Sequence, residues 1–381
     1  MDFDLTWLLW GLPVAFALGW VASRLDLRQW RIEGRQAPKA YFRGLNHLLN
    51  EQQDQAIDAF IEAVQGDPDT TELHFALGNL FRRRGDYDRA VRVHEHLLSR
   101  ADLNRKERDR AQHALALDFL KAGLLDRAES ALSKLEGTAF ENEARLALLG
   151  IYERSRDWAQ ARAIAEKLDS AEHGAFTTRV AHYLCELAEL AHREGQAERV
   201  RALLDEAVRR APTLARGWMA RSALRSQQGD AAGALDDLLA LAEQAPAALP
   251  LAARAMAELA QQTGRTDPVL RALGNAQARA PSIDVTEALA RLAPQPEGAR
   301  GMYLRHLEAE PSLVIASQWL AGETLSNPQA QSSVQRALEH ASGPLRRYRC
   351  AACGFEARQH FWQCPGCQAW DSYPARRVEE L

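Results

Sequence analysis

The chain repeats itself at a shift of 34 residues, and that period limits its fold more than any other feature. The stretch YFRGLNHLLNEQQDQAIDAFIEAVQGDP (41–68) aligns with FALGNLFRRRGDYDRAVRVHEHLLSRAD (75–102), placing Gly44 on Gly78, Ala56 on Ala90 and Ala63 on Leu97. The same grammar returns in CELAELAHREGQAERVRALLDEAVRRAP (185–212) and MARSALRSQQGDAAGALDDLLALAEQAP (219–246). KAGLLDRAESAL and RSRDWAQARAIA are intermediate copies, and QQTGRTDPVLRALGNAQARAP is a worn one. Each unit reads as two amphipathic helices, with apolar residues at three- and four-residue intervals. Gly85, Gly123, Gly195, Gly229 or Gly264 falls in the turn between them, where a positive φ is needed. Ala56, Ala90, Ala128, Ala161 and Ala234 fall where two helices cross closely, and prolines at 68, 212, 246, 281 and 311 close units. One such pair cannot bury its apolar face alone, so the units must stack.

These small-residue and proline positions resemble the tetratricopeptide repeat. The resemblance covers residues 37–342, about eight to nine units, with those after about residue 250 degenerate. It implies a right-handed superhelical solenoid with a concave groove, an architecture that binds polypeptides far more often than it catalyses. Asn79, Arg82 and Arg83 are candidate partner-binding residues on the first helix of the second unit. Asn79 stands where peptide-binding repeats often carry an asparagine that grips a ligand backbone. His182, Cys185, Glu189 and His192 form a similar stripe, of which His182 and Glu189 are further candidates. Polar residues on an exposed face are also what a merely solvated helix carries. Cys185 reads as a small packed residue, and HEH at 94–96 as surface.

Near the start, LTWLLWGLPVAFALGWVAS (5–23) is uncharged. As a helix it would span about 28 Å, close to a bilayer's hydrocarbon thickness. Trp7, Trp10 and Trp20 lie near its ends, where indoles favour the interface. A cleaved signal peptide wants a basic segment first, whereas Asp2 and Asp4 precede this run. Arg24, Arg28, Arg31, Arg35 and Lys39 follow, against Asp26 and Glu33, so the positive-inside rule expects a periplasmic N-terminus and a cytoplasmic bulk. Gly11, Ala15 and Gly19 share one face and are candidates for packing against another membrane helix, although small residues are common in such helices anyway.

Four of the five cysteines, Cys350, Cys353, Cys364 and Cys367, crowd into RYRCAACGFEARQHFWQCPGCQAW. Two C-x2-C turns separated by ten residues present four thiolates to one ion. Disulfides are disfavoured in a reducing cytoplasm. Gly354 and Gly366 supply loose backbone, and Pro365 stiffens the second turn. The knuckles resemble rubredoxin, where four cysteines hold one iron. The intervening segment is shorter here, however, and Gln368 replaces the glycine that usually follows the fourth cysteine. Zinc is therefore the expected metal, with iron the alternative. The short ASGP linker (341–344) predicts a ribbon docked on the solenoid, with some of its aromatics packed on the last helices. Residues 343–381 carry six arginines against four acids, and zinc with four thiolates adds −2, so no phosphate-binding surface or nucleic-acid partner is indicated.

With a net charge of −4, no Walker loop, no G-x-S-x-G and no H-E-x-x-H, a non-enzymatic binding role is the expectation. The fold class is all-α, a solenoid with an N-terminal transmembrane helix and a small C-terminal rubredoxin-like zinc ribbon. The divisions are 1–23 (anchor), 24–36 (basic linker), 37–342 (repeat array) and 343–381 (four-cysteine domain). LGNLFRRRGD, AGLLDRAE, AHYLCELA and the cysteine segment, in that order, resemble the lipopolysaccharide assembly protein B family of Gram-negative bacteria. The resemblance spans the whole chain. It implies an inner-membrane adaptor that promotes degradation of the LpxC deacetylase by the membrane-anchored FtsH protease, under restraint from other inner-membrane lipopolysaccharide regulators. It also carries the four cysteines over as metal ligands. The alternatives are a general scaffold for envelope enzymes or a rubredoxin-like redox partner.

Overall fold

The computed structural model describes residues 13–21, 39–66, 70–169, 176–324 and 328–381. The chain divides into two compact units, Met1–Ser155 and Arg156–Leu381. The apolar run of the N-terminus lies mostly outside the described residues, as does Gly11. Its residues 13–21 are helical and include Ala15 and Gly19, with Val14, Phe16 and Leu18 exposed. Among the described residues no helix is long and apolar enough to cross a membrane.

The first unit continues with α1 (39–49), α2 (Gln53–Gly66), α3 (Thr71–Arg84), α4 (Tyr87–Ser99), α5 (Arg105–Lys121), α6 (Leu125–Ser133) and α7 (Glu141–Ser155). A capping box between Asn104 and Glu107 starts α5, satisfying amides that the first turn leaves open. At the end of α3, Gly85 adopts φ 87°, and the Asp86 amide donates to Phe81 O at 2.8 Å, which turns the chain back into α4. Gly123 repeats this turn between α5 and α6. In the α1–α2 turn the left-handed conformation falls instead on Glu51, at φ 58°.

Close crossing follows from the small residues: Ala56, Ala90 and Ala128 are fully buried. The two equivalent glycines show the tightest fit. A Cβ on Gly44 would lie 2.8 Å from the Phe60 ring, and one on Gly78 would lie 2.5 Å from the His94 ring. Phe60 and His94 are themselves one period apart, so one ring-on-glycine contact is used twice. His94 is thus buried rather than on the surface as the sequence suggested. Its Nδ1 pairs at 2.5 Å with Asp118, a fully buried carboxylate that also accepts from Arg82 at 2.8 Å. Burying that carboxylate without partners would cost several kcal/mol, and the two donors remove most of the cost.

The second unit holds α8 (Trp158–Asp169), α9 (Thr177–Arg193), α10 (Ala197–Arg210), α11 (Ala215–Gln227), α12 (Ala231–Gln244), α13 (Leu249–Thr263), α14 (Thr266–Arg279), α15 (Ile283–Leu292), α16 (Pro296–Ala309), α17 (Leu313–Ala321) and α18 (Pro328–Ser342). Its turns at Gly195, Gly229 and Gly264 take positive φ, and Arg156 adopts that conformation before α8. Ala161 and Ala234 are fully buried. Pro212, Pro246, Pro281 and Pro311 each follow the last capping residue of a helix; Pro68 lies outside the described residues. One apolar core joins α12 to α15 through Leu238, Met256, Leu273 and Leu289. Helices thus continue through the degenerate region. The unit ends in a ribbon of two short antiparallel strands, β1 (Tyr348–Arg349) and β2 (Glu356–Ala357).

Two glycines of similar helical setting should respond oppositely to one methyl group. Gly78→Ala is expected to push the His94 ring off Asp118 and cost about 2–3 kcal/mol. Gly150→Ala in α7, where a Cβ meets nothing within 4 Å, is expected to gain about 0.5–1 kcal/mol. Urea unfolding measures both, and equal effects would contradict the packing described.

Candidate metal centre and its seat on the helices

Each C-x2-C turn is closed by a main-chain bond from the residue after its second cysteine. The Gly354 amide donates to Cys350 O at 2.9 Å, and the Gln368 amide to Cys364 O at 2.8 Å. Both closing residues are left-handed, Gly354 at φ 77° and Gln368 at φ 61°. Gln368 therefore occupies a glycine position and carries backbone strain there. Gly366 serves a different end from the one expected. Its φ is ordinary, but a Cβ on it would sit 3.4 Å from Phe355, so it admits that ring.

The four sulfurs converge within 4.8 Å of one another, with Cys350–Cys367 at 3.8 Å and Cys353–Cys364 at 3.7 Å. A tetrahedron with metal–sulfur bonds of about 2.3 Å has edges of about 3.8 Å, so the donor set fits a single ion. Cys350 and Cys364 are buried, while Cys353 and Cys367 are exposed. Burial opposes ionisation of Cys350, but the Ser372 hydroxyl and the amides of the turn outweigh it and bring the thiol down to about 6. For Cys353 the Phe355 amide favours the thiolate, whereas burial and the neighbouring sulfurs push it up to about 12. A cation is what allows all four thiolates to coexist. With four protein ligands the site is closed, with no coordination position open to a substrate.

The ribbon is held to the helices by a seam of rings and charges. His182 of α9, fully buried, reaches Asp371 at 2.9 and 3.0 Å and lies 4.6 Å from the Trp370 ring. Trp370 also packs edge-on against Trp158 and Tyr183, while His360 stands between Trp362 and Tyr348. Burial holds the imidazole of His182 below its ordinary value, with Asp371 opposing the shift. The neutral ring donates from Nε2 to Asp371, leaving Nδ1 toward Arg216, which is itself paired with Glu186 at 2.7 Å. Farther along, Arg377 covers the Tyr348 ring at 4.1 Å and pairs with Asp284 of α15 at 2.7 Å. Glu379 accepts from Ser312 Oγ and the Leu313 amide at the start of α17, both at 2.6 Å. Glu380 accepts from the Ile283 amide at 2.7 Å, capping α15. The ribbon thus sits on α8, α9, α13, α15 and α17, a far wider seat than the last helices expected from sequence.

Several candidate residues prove to have internal duties. Asn79 accepts from Arg82 at 2.5 Å, and Arg82 is committed to Asp118 and to Ala114 O. Arg83 is exposed. The stripe on α9 is divided: His182 lies under the ribbon, whereas Glu189 and His192 are exposed at a hollow of about 430 Å³ between α9 and α11. Trp362 of the ribbon completes the wall of that hollow. Cys185 is buried, and burial pushes its thiol up to about 11. Trp370 and Trp362 are among the aromatics expected to pack on helices, here on α8 and α9, whereas Asp371 carried no signal as a seam residue. The density of aromatics beside the cysteines was the signal for the two indoles.

Helical hairpins at a 34-residue period, with a four-cysteine ribbon seated on them, define a tetratricopeptide repeat protein bearing a rubredoxin-type metal-binding domain. Family models agree, matching a tetratricopeptide repeat at residues 73–109 and a rubredoxin metal binding domain at 348–373. A solved tetratricopeptide repeat protein from Parabacteroides merdae (14% identity, 68% of this chain and 99% of that one, TM-score 0.35) and solved pilF of Pseudomonas aeruginosa (18%, 56% and 94%, TM-score 0.31) are similar. Lipopolysaccharide assembly protein B of Escherichia coli (strain K12) is 30% identical over 97% of this chain and 98% of its own length. That of Haemophilus influenzae is 27% identical over 95% and 96%. The chain belongs to the lipopolysaccharide assembly protein B family.

Relief of the strained knuckle is directly measurable. Gln368→Gly is expected to stabilise the metal-loaded chain by about 0.5–1 kcal/mol in urea unfolding, since the left-handed penalty exceeds the entropy glycine adds. His182→Ala should cost about 2 kcal/mol, because a hydrogen bond to a carboxylate and a packed ring are lost together. Its acid response separates it from a general packing defect. His182 is kept below the ordinary 6.5, so its stabilising share is present above pH 6.5 and lost as pH falls. The variant should therefore lose less stability than the wild type on acidification below that value. An equal acid slope in both would contradict the neutral seam.

Proposed function

We propose that the chain is a non-enzymatic adaptor of lipopolysaccharide synthesis, one that presents the LpxC deacetylase to the membrane-anchored FtsH protease. The observation that carries this reading is similarity along nearly the whole chain to proteins named for lipopolysaccharide assembly. The geometry is in keeping with it. A closed four-thiolate site leaves no coordination position for a substrate, so the metal's part in this reading is to build a surface. The hollow beside Trp362 is walled by Ala188, Val200, Leu204 and Met219, with Glu189 and His192 at its edge. It suits an apolar side chain of a client with a polar group alongside.

The uncharged N-terminal run is the anchor in this reading, with the N-terminus periplasmic and the bulk cytoplasmic. Exposed Val14, Phe16 and Leu18 in helix 13–21 support it, since such a surface wants lipid. Tethering adaptor and protease to one membrane raises their effective concentration, so weak contacts suffice. Depleting the protein is expected to lengthen the lifetime of LpxC in a pulse-chase experiment, and protease added to intact spheroplasts should leave the repeat array uncut. An unchanged LpxC lifetime would remove the adaptor role, and cleavage of the array from outside would reverse the topology.

A further inference from the structure

A second groove, of about 790 Å³, opens between α12 and α14, on the second helices of two successive units. Three arginines overlook it. Arg271 and Arg279 stand with Asn275 between them at four-residue steps along α14, and Arg376 comes from the tail of the ribbon. The two helix arginines are about 12 Å apart along the axis. Among the described residues none of the three has an ion-pair partner, whereas arginines around them are matched: Arg265 with Asp236, Arg346 with Glu287, Arg377 with Asp284. Glu243 is the one acid lining the groove, which leaves an excess of two positive charges. The floor is apolar, formed by Leu249, Ala272, Ala276 and Val285.

We propose that this groove binds an acidic polypeptide segment of a partner, with carboxylates on Arg271, Arg279 and Arg376 and an apolar side chain on the floor. Planar guanidinium groups take carboxylates in paired hydrogen bonds, and the unmatched charge favours an anion over a neutral chain. No aromatic ring lines the groove to stack a base, as single-stranded nucleic acid would require. A lipid headgroup would satisfy the arginines but leave the recessed apolar floor uncovered. Because Arg376 belongs to the ribbon tail, the groove is complete only with the ribbon in its seat. The inference does not depend on which client the array serves.

The test is fluorescence anisotropy of a labelled peptide of alternating Glu and Leu with the full-length chain in neutral detergent. Binding should be saturable and salt-sensitive, and the matching Gln and Leu peptide should bind much more weakly. Arg271→Glu with Arg279→Glu is expected to weaken the acidic peptide roughly tenfold or more. Arg376→Glu should weaken it as well, while Arg209→Glu, on α10, should leave it unchanged. Circular dichroism and metal content check that each variant folds. Equal binding of the two peptides, or no loss in the double variant, overturns the proposal. So does displacement of the acidic peptide by oligothymidylate or short-chain phosphatidylglycerol whose own tighter binding is lost in the same variants, since the groove would then be reading phosphate.

Discussion

Four sulfur atoms within 4.8 Å of one another are an unstable arrangement without a cation between them, and the organisation of the ribbon follows from that crowding. A ribbon of this size has too little interior to fold by burial. Its core is Tyr348, Tyr373 and two of the metal ligands, with Leu251 lent by α13. Structural zinc contributes roughly 10–16 kcal/mol to modules of this kind. Once folded, the ribbon presents Trp370 and Asp371 to α9 and directs its tail toward α15 and α17. The hollow at Trp362 and the groove at Arg376 both depend on a module that an ion holds together.

The ribbon is fastened by charge as much as by apolar contact. Asp371 on His182, Arg377 on Asp284 and the glutamates of the tail on two helix starts are spread along the seat. Such pairs contribute little net stability, because desolvation offsets most of their attraction, but each is strongly unfavourable when mismatched. They therefore select one placement of the ribbon out of the many a purely apolar face would accept. The first unit uses the same device at Asp118, where Arg82 and His94 arrive from different helices and fix their register.

The fold was legible where the determinant was local. A turn glycine such as Gly85 reports its own φ, a small residue such as Ala90 reports a close crossing, and two C-x2-C turns report one ion. Long-range partners left no such trace. His182 and Asp371 are 189 positions apart, and a buried histidine on a helix face looks the same in sequence as a solvated one. His94 was misjudged for the same reason, since its carboxylate lies on another helix. At the knuckles the spacing revealed the ligands but not the roles of the two flanking positions. Which of Gly366 and Gln368 must be left-handed depends on the turn's hydrogen bonds and on Phe355.

The seam also brings three indoles together, Trp158 from α8 with Trp362 and Trp370 from the ribbon, amid Tyr183, His182 and His360. Indole emission responds to polarity and to nearby quenchers, so these side chains form a native optical probe on the surface where the ribbon meets α8 and α9. Loss of the ion, or a partner that lifts the ribbon, would register as a change of fluorescence in the unlabelled protein.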